Sequence, residues 1–167
     1  MTEPRAADRA LVTGGAGFIG STVVEALLAR GTHVTILDDL SAASSDRVAA
    51  PGSRPLRFVQ GDVRDLDMLQ TVMAGNDLVV HLAAHTDIAR GRTDPQHDFE
   101  VNVVGTWNVL EAMRRVGVGR LMFASSGTVY GYPTSVPTAE SYGPLLPESP
   151  YAAAKLAGEA LISGSAA

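Results

Sequence analysis

The sequence predicts an α/β protein built on a doubly wound parallel sheet of about five strands in the order 3-2-1-4-5. Apolar runs of strand length alternate with helical stretches along the chain. The first run leads into a glycine-rich turn at the start of a helix, and the second run ends in an acidic residue. Such alternation is typical of parallel strands covered by helices on both faces. We expect residues 1–167 to form a single domain.

Composition limits the class of protein. The chain has 167 residues, of which 46% are hydrophobic, and it carries a formal net charge of −5. This apolar content suffices for a core, and the acidic balance argues against a nucleic-acid partner. The lack of cysteine excludes disulfides and thiolate chemistry. Residues 1–9 are polar and no run is long enough to span a membrane, so we expect a cytoplasmic protein with no membrane partner.

The first strand and the turn after it form the strongest local signal. Apolar residues 10–12 are followed by Gly14, Gly17 and Gly20 in a G-x-x-G-x-x-G pattern. Gly14 permits a tight turn, Gly17 lets backbone N–H groups approach a pyrophosphate, and Gly20 lets the helix pack closely on the sheet. A bound anion would lie at the positive end of the helix dipole. The pattern therefore favours a dinucleotide-binding loop over a plain strand-to-helix turn.

The residues after this loop favour NAD as the cofactor. The second strand, 33–37, ends in Asp38, which is placed to accept hydrogen bonds from the adenosine ribose hydroxyls. A carboxylate there repels a 2′-phosphate, which favours NAD over NADP. The alternative interpretation is a solvated turn at Asp38 and Asp39. The helix between loop and strand ends at Arg30-Gly31, and its expected apolar face consists of Ile19, Val23, Val24, Leu27 and Leu28.

The remaining elements follow in order along the chain. Glycine, proline, asparagine and aspartate separate the apolar runs and set the expected boundaries. They predict a short helix within 41–55, a third strand at 56–60, a helix capped by Asp65 and ending at Met73, a fourth strand at 77–82, a helix at 102–116, a fifth strand at 120–124, a long loop at 131–150 and a last helix at 151–162.

The last helix carries a second pattern, because Tyr151 and Lys155 are four residues apart and share one face. Lys155 is the only lysine among the 13 lysine and arginine residues. An ammonium group near a phenol, together with an oxidised nicotinamide, favours the phenolate form. Tyr151 could then act as a general acid and base. The alternative is an ordinary surface pair.

His81 and His85 are also four residues apart, with Asp87 nearby. The histidines lie across a predicted strand end rather than on one helix face, and the sequence has no H-E-x-x-H pattern. We therefore reject a metal site and expect His81 to be a packed or loop-facing residue.

Taken together, these motifs resemble the N-terminal, NAD-binding part of the extended short-chain dehydrogenase/reductases, specifically the NAD-dependent epimerases and dehydratases of nucleotide sugars. The resemblance covers essentially the whole chain and implies a Rossmann-like fold. It is carried by TGGAGFIG at 13–20, DDLS at 38–41, GDVRD at 61–65, HLAA at 81–84, Asn102 with GTWN at 105–108, SSGTVYG at 125–131 and YAAAK at 151–155.

The resemblance implies catalytic roles for three residues. Tyr151 resembles the base that takes a sugar hydroxyl proton as hydride passes to the nicotinamide. Lys155 would bind the nicotinamide ribose and promote ionisation of the tyrosine. Ser126 would hydrogen-bond the reacting oxygen; the alternative for Ser126 is a strand-end cap.

The resemblance also implies a set of cofactor contacts. Asp62 and Val63 resemble adenine contacts, and Asn102 marks a helix passing under the nicotinamide. Asp62 could instead form a turn, and Asn102 could begin a helix. The expected contacts with NAD are Gly14, Gly17, Phe18, Ile19, Gly20, Asp38, Asp39, Asp62, Val63, Leu82, Ala83, Ala84, Asn102, Tyr151 and Lys155.

The residues after Ser126 bear on the reaction. Dehydratases of this family resemble one another in carrying an Asp-Glu pair there, whereas this chain has Gly127 and Thr128. Neither is a general acid at neutral pH. The resemblance therefore favours an enzyme like UDP-glucose 4-epimerase, which oxidises the sugar at C4, rotates the ketone and returns the hydride. Relatives commonly have a serine where this chain has Gly91, so the identity of the nucleotide sugar stays open.

Members of this family continue into a sixth strand and a C-terminal substrate domain. We expect this chain to be truncated before that strand. The helices near Asn102 and Tyr151 resemble the pair that forms dimers in the family. Two functions therefore stand: a nucleotide-sugar epimerase acting on a UDP-hexose, or a module that binds NAD and dimerises without turnover.

Overall fold

Five strands, all parallel, form the sheet on which the protein is built, in the order β3-β2-β1-β4-β5. The predicted α/β class and strand order are therefore confirmed. The computed structural model describes residues 7–43, 56–87, 91 and 93–166. The strands are β1 (Arg9–Thr13), β2 (His33–Asp38), β3 (Leu56–Gln60), β4 (Leu78–His81) and β5 (Leu121–Phe123).

The helices are named in chain order. They are α1 (Phe18–Ala29), α2 (Leu66–Met73), α3 (Pro95–Phe99), a π-helical turn (Glu100–Val104), α4 (Gly105–Val116), a 3-10 turn (Gly127–Tyr130) and α5 (Pro150–Ser165). The backbone groups the chain into two compact units, Met1–Ala83 with Asn108–Phe123 and Ala84–Trp107 with Ala124–Ala167. The prediction of a single domain stays a prediction.

The first unit contains the sheet and an apolar cluster on each of its faces. Alternate residues of a strand point to opposite faces. Leu11 of β1 belongs to the cluster covered by α2 and by residues 109–113 of α4, whereas Ala10 and Val12 belong to the cluster covered by α1. Every residue of β4 is buried. Burial on both faces explains why these strands read as continuous apolar runs.

The register of the sheet aligns the carboxyl ends of neighbouring strands. Thr13, the last residue of β1, pairs with Leu37 on one side and with His81 on the other. The carboxyl ends of β1, β2 and β4 therefore lie at one edge of the sheet. In a doubly wound fold, that edge is where ligands bind.

The second unit is made of helices and irregular chain. Asp94 caps α3, and Pro95 occupies its first turn. Ser149 caps α5 by accepting a hydrogen bond from the Ala152 N–H. Residues 131–149 contain no helix or strand, as predicted for the long loop. No helix in the described part of the chain is long and apolar enough to cross a membrane.

The structure corrects several predicted boundaries. The helical segment that contains Asn102 begins at Pro95 rather than at Asn102, which lies inside the π-helical turn. The Asp94-Pro95 pair is the signal that places this start. α5 extends to Ser165 rather than ending at residue 162. β4 and β5 are each shorter than predicted by one residue at both ends. The helix expected within 41–55 lies largely outside the described residues.

The predicted apolar face of α1 is only partly buried. Val24 and Leu28 are buried, but Ile19 is 61% exposed, so its assignment to the core face is wrong. Ile19 lies in the first turn of the helix, directly after the glycine loop.

Removing the N-cap of α2 tests whether the Asp65 side chain stabilises this helix. The Asp65 carboxylate accepts a hydrogen bond of 2.9 Å from the Met68 N–H. Asp65→Ala leaves that N–H without its partner, and we expect the free energy of unfolding to fall by about 1 kcal/mol. Asp65→Asn keeps a capping oxygen and is the matched control. Urea unfolding of both variants measures the difference. Equal midpoints for wild type and Asp65→Ala would refute the cap.

Candidate functional site

The loop after β1 requires glycine at Gly14. Its φ angle is +69°, in the left-handed region, and a Cβ there would lie 2.6 Å from the Ala83 nitrogen. The Gly14 N–H donates to the Leu37 oxygen at 2.9 Å, and the Gly14 carbonyl accepts from the Gly17 N–H at 3.2 Å. The backbone itself therefore holds this turn against β2 and the end of β4.

Gly17 and Gly20 are glycines for different reasons. A Cβ on Gly20 would overlap the Gly14 carbonyl oxygen, so Gly20 is required for α1 to pack against the loop's own backbone. The sequence predicts that Gly20 lets the helix pack closely on the sheet, but the structure shows that the close contact is with the backbone of the loop. Gly17 has an ordinary φ of −70°, and its Cβ would meet only the Gly14 oxygen, at 3.2 Å. The polypeptide leaves room there for an additional group.

The N-terminus of α1 has no side-chain cap and no acidic residue in its first turn. By contrast, side chains of Asp65, Asp94 and Ser149 cap the helices α2, α3 and α5. The first N–H groups of a helix need acceptors from outside it. The start of α1 therefore suits an anion, and the neighbouring side chains of Phe18 and Ile19 are exposed.

Asp38 lies at the end of β2 and is only 8% exposed. One carboxylate oxygen accepts from the Ala16 N–H and the other from the Leu40 N–H, each at 2.9 Å. A carboxylate offers about four acceptor positions, so this pattern leaves capacity for ribose hydroxyls. Leu40 has a φ of +64°, which is unusual for a leucine. Asp39 is exposed and accepts from the Ser41 N–H at 2.9 Å, as in the turn considered for it.

The end of β4 is tied to the end of β1 by a buried hydroxyl. Thr13 Oγ1 lies 2.7 Å from His81 Nδ1 and accepts from the Ala83 N–H at 3.2 Å. His81 is 1% exposed and is a packed residue, as predicted. Thr13 begins the TGGAGFIG motif but was absent from the predicted site residues, because the motif does not reveal its contact with a residue 68 positions away. Leu82 is half-buried and packs against the apolar cluster under α1.

Asp62 and Val63 lie in the turn after β3. The Asp62 carboxylate binds the Arg64 guanidinium at 2.6 Å and accepts from the Arg64 N–H at 2.8 Å, so Asp62 does form a turn. Val63 is buried in the apolar cluster under α2. A contact between Val63 and adenine would therefore have to use its backbone. Neither observation tests the adenine assignment.

In the second unit, α5 presents Tyr151 and Lys155 one turn apart. Lys155 Nζ lies 5.9 Å from the centre of the Tyr151 ring. It also donates to the Ala124 carbonyl at 2.9 Å. Lys155 is 4% exposed, and this burial lowers the pKa of its ammonium to about 8. A buried lysine beside a half-buried tyrosine differs from a solvated surface pair, and ionisable groups perturbed in this way are common at functional sites.

Ser126 caps the 3-10 turn that follows β5. Its Oγ accepts from the Thr128 N–H at 3.2 Å and from the Thr128 hydroxyl at 2.9 Å. A hydroxyl has two acceptor positions and one donor. With both acceptor positions used, the Ser126 hydroxyl proton is left to donate to another oxygen.

His85, Asp98 and Asn102 form a cluster in the second unit. Asn102 accepts from the His85 N–H at 2.9 Å and donates to the His85 oxygen at 3.0 Å, so its amide holds the chain after Ala84. His85 Nδ1 pairs with Asp98, which is 1% exposed. A Cβ on Gly91 would overlap the Asp98 carboxylate, so Gly91 is a glycine because that carboxylate occupies the space. The sequence interpretation did not include Asp98.

The comparisons with known proteins agree on one family. A model described as the NAD dependent epimerase/dehydratase family matches residues 10–167. A UDP-glucose 4-epimerase from Mycolicibacterium smegmatis is 44% identical over 93% of this chain and 50% of its own length. A dTDP-glucose 4,6-dehydratase from Streptomyces niveus is 42% identical over 92% of this chain and 48% of its own length.

A solved structure gives the same result. The crystal structure of UDP-glucose 4-epimerase from Brucella ovis in complex with NAD superposes with a TM-score of 0.89 at 32% identity. The match covers 95% of this chain and 48% of that one. The chain thus spans about half the length of the relatives it matches. NAD is the cofactor of the family.

The buried ammonium makes stability depend on pH. The pKa of Lys155 is about 8 in the folded state against an ordinary value of 10.5. Between these values the unfolded chain binds more protons than the folded chain, so the free energy of unfolding rises with pH. At about 1.4 kcal/mol for each pKa unit, the rise is at most about 3 kcal/mol.

Lys155→Met removes this dependence. We expect the stability of wild type relative to Lys155→Met to increase as the pH is raised from neutral through this window. Urea unfolding at several pH values measures it, and titrating groups remote from Lys155 cancel because both proteins contain them. Parallel pH curves for the two proteins would show that the ammonium is not held in a desolvating site.

Proposed function

Because the chain belongs to the NAD-dependent epimerase/dehydratase family, we propose that it binds NAD and supplies the catalytic residues of a nucleotide-sugar 4-epimerase, with a UDP-hexose as substrate. The observation that carries the proposal is the pairing of Tyr151 with a buried Lys155 on α5. The UDP-hexose follows from similarity to UDP-glucose 4-epimerases.

Three features of the first unit fit a dinucleotide. A Cβ at Gly17 would meet only the Gly14 oxygen, so the space beside this glycine is the place proposed for the pyrophosphate. The uncapped start of α1 offers N–H donors to its oxygens. The Asp38 carboxylate, with acceptor capacity left, suits the adenosine ribose. Gly14, Gly20 and Ala83 shape this loop, and Phe18, Ile19, Asp39, Leu82 and Val63 remain proposed contacts.

The residues of the second unit fit oxidation of a sugar hydroxyl. Bound NAD supplies the hydride acceptor for oxidation at C4 and the hydride donor for reduction on the other face. Tyr151 takes the hydroxyl proton and later returns it. Lys155 places a positive charge beside the phenol, which favours the phenolate. Ser126 donates its remaining hydrogen bond to the same sugar oxygen, and Asn102 holds the backbone at His85.

The hydrogen bonds of Thr128 favour epimerisation over dehydration. Elimination needs an acid to protonate the leaving hydroxyl. Gly127 has no side chain, and the Thr128 hydroxyl is bound to Ser126. The residues at these positions therefore orient Ser126 and supply no acid.

A second candidate function rests on length. The chain spans about half of the epimerases and dehydratases it matches. We therefore also propose the alternative of a module that binds NAD and self-associates, through α4 and α5, without turnover. Calorimetric titration with NAD followed by an assay of UDP-glucose and UDP-galactose interconversion separates the two. Binding with turnover supports the enzyme, and binding alone supports the module.

The phenol is tested by Tyr151→Phe. We expect turnover to fall by at least about 100-fold, since general acid–base catalysis contributes on that scale. The NAD dissociation constant should stay within about twofold, because the hydroxyl takes part in proton transfer. Tyr132→Phe, at an 82% exposed tyrosine, is the control and should leave both quantities unchanged. Normal turnover by Tyr151→Phe would remove tyrosine from the mechanism.

The glycine loop is tested by Gly17→Val. The branched side chain would fill the place proposed for the pyrophosphate, so we expect NAD binding to be lost while the thermal midpoint changes little. Gly119→Val is the matched control, because Gly119 has no atom near its Cβ position. It should bind NAD as wild type does. Tight NAD binding by Gly17→Val would disprove the assignment of the loop.

A further inference from the structure

The segment that carries Ser126 has no regular backbone pairing of its own. Residues 124–126 follow β5 and precede the 3-10 turn, and they belong to neither a helix nor a strand. Their position therefore depends on contacts made by neighbouring elements. Two of these contacts come from side chains of α5 and reach consecutive residues of the segment.

The first contact is Lys155 Nζ on the Ala124 carbonyl, at 2.9 Å. The second is a hydrogen bond between the exposed Ser125 hydroxyl and the Glu159 carboxylate. Only the serine has a proton to donate, so Ser125 is the donor. A hydrogen bond from a hydroxyl to a carboxylate is roughly twice as strong as one between neutral groups.

Helical spacing places Lys155 and Glu159 on the same face of α5. Tyr151, Lys155 and Glu159 are separated by four residues each, so they follow one another along a single face of α5. Four residues correspond to about 6 Å of helix. Two side chains one turn apart therefore hold two adjacent residues, and the next residue of the segment is Ser126.

Glu159 has no other role in the part of the chain that the structure describes. It is half-buried, and among the described residues it forms no ion pair with an arginine. The carboxylates of Glu111 and Asp62, by contrast, bind arginines. Glu159 is thus directed to Ser125 rather than to a surface charge network.

We propose that Glu159 is a positioning residue of the epimerase reaction. By accepting the Ser125 hydroxyl, it holds residues 124–126 so that the Ser126 hydroxyl can donate to the sugar oxygen. This inference rests on the proposed function, because it needs Ser126 to act on a substrate. Glu159 touches neither substrate nor cofactor in this scheme and acts through Ser125.

The experiment is a double-mutant cycle on the full chain. The variants are Glu159→Ala, Ser125→Ala and the two combined, with Glu159→Gln as the conservative change that keeps an acceptor oxygen. Glu25→Ala is the control, at an exposed helical glutamate of α1. Each variant is measured for NAD affinity, for amide hydrogen exchange of a peptide covering residues 121–130, and for the kcat and KM of sugar interconversion.

We expect Glu159→Ala to lower kcat about tenfold with KM within about twofold, since it removes one charge-assisted hydrogen bond. Exchange of the 121–130 peptide should speed up, and NAD affinity should stay within about twofold. Ser125→Ala should match these effects, and the double variant should be no worse than either single one. Glu159→Gln should recover most of kcat, because its amide oxygen can still accept the Ser125 hydroxyl.

Two results would overturn the proposal. One is unchanged exchange and unchanged kcat in Glu159→Ala. The other is a double variant whose loss equals the product of the two single losses, because Glu159 and Ser125 would then act independently. If the wild-type chain binds NAD without turnover, the epimerase proposal fails by itself. Hydrogen exchange in the double-mutant cycle still tests whether Glu159 holds residues 124–126 in place. Coupled effects of the two substitutions support this role, and independent effects refute it.

Discussion

The close approach of two backbones, at Gly14 and Ala83, is the constraint on which the arrangement of the first unit depends. A side chain on Gly14 would collide with the Ala83 nitrogen, and its φ angle is open to glycine at little cost. The Thr13 hydroxyl fastens the same point by bonding His81 and accepting from the Ala83 N–H. The carboxyl ends of β1 and β4 are thus joined by backbone contact and one buried hydroxyl. The glycine loop is shaped by the polypeptide itself, which is what preorganisation for a phosphate requires.

Each unit also keeps a polar group in a state that the fold alone does not favour. The start of α1 lacks the side-chain cap that α2, α3 and α5 have. Lys155 is buried deeply enough that its pKa falls to about 8. Neither feature is the more stable choice, because a side-chain cap stabilises a helix start and the burial of a charge costs free energy. Their presence on the elements that bear the glycine motif and the Tyr-x-x-x-Lys motif is best explained by function.

Local chemistry accounts for what the sequence predicts well. Asp65 caps α2, and Gly31, Gly75 and Gly117 adopt positive φ angles after α1, α2 and α4, as helix-terminating glycines do. The same rules, applied to Asp94-Pro95, would have placed the start of α3.

Contacts between distant residues account for what the sequence does not reveal. Thr13 and His81 are 68 residues apart, and Ser125 and Glu159 are 34 apart. No spacing rule links such pairs, because only the packed strands and helices bring them together. The exposure of Ile19 was likewise not predictable, because periodicity identifies the apolar face of a helix but not which residues of that face are covered.

In the proposed function, the short segment 125–128 is what distinguishes epimerisation from dehydration. Relatives of both kinds match this chain, so overall similarity does not separate epimerisation from dehydration. The hydrogen bonds of Ser126 bear on it directly. Thr128 fills both acceptor positions of the serine oxygen, which leaves the Ser126 hydroxyl to act as a donor. A donor suits an oxygen on which negative charge develops, whereas elimination requires an acid that this segment lacks. In the proposed reaction, this arrangement of two hydroxyls suits oxidation at the sugar and supplies no acid for the loss of water.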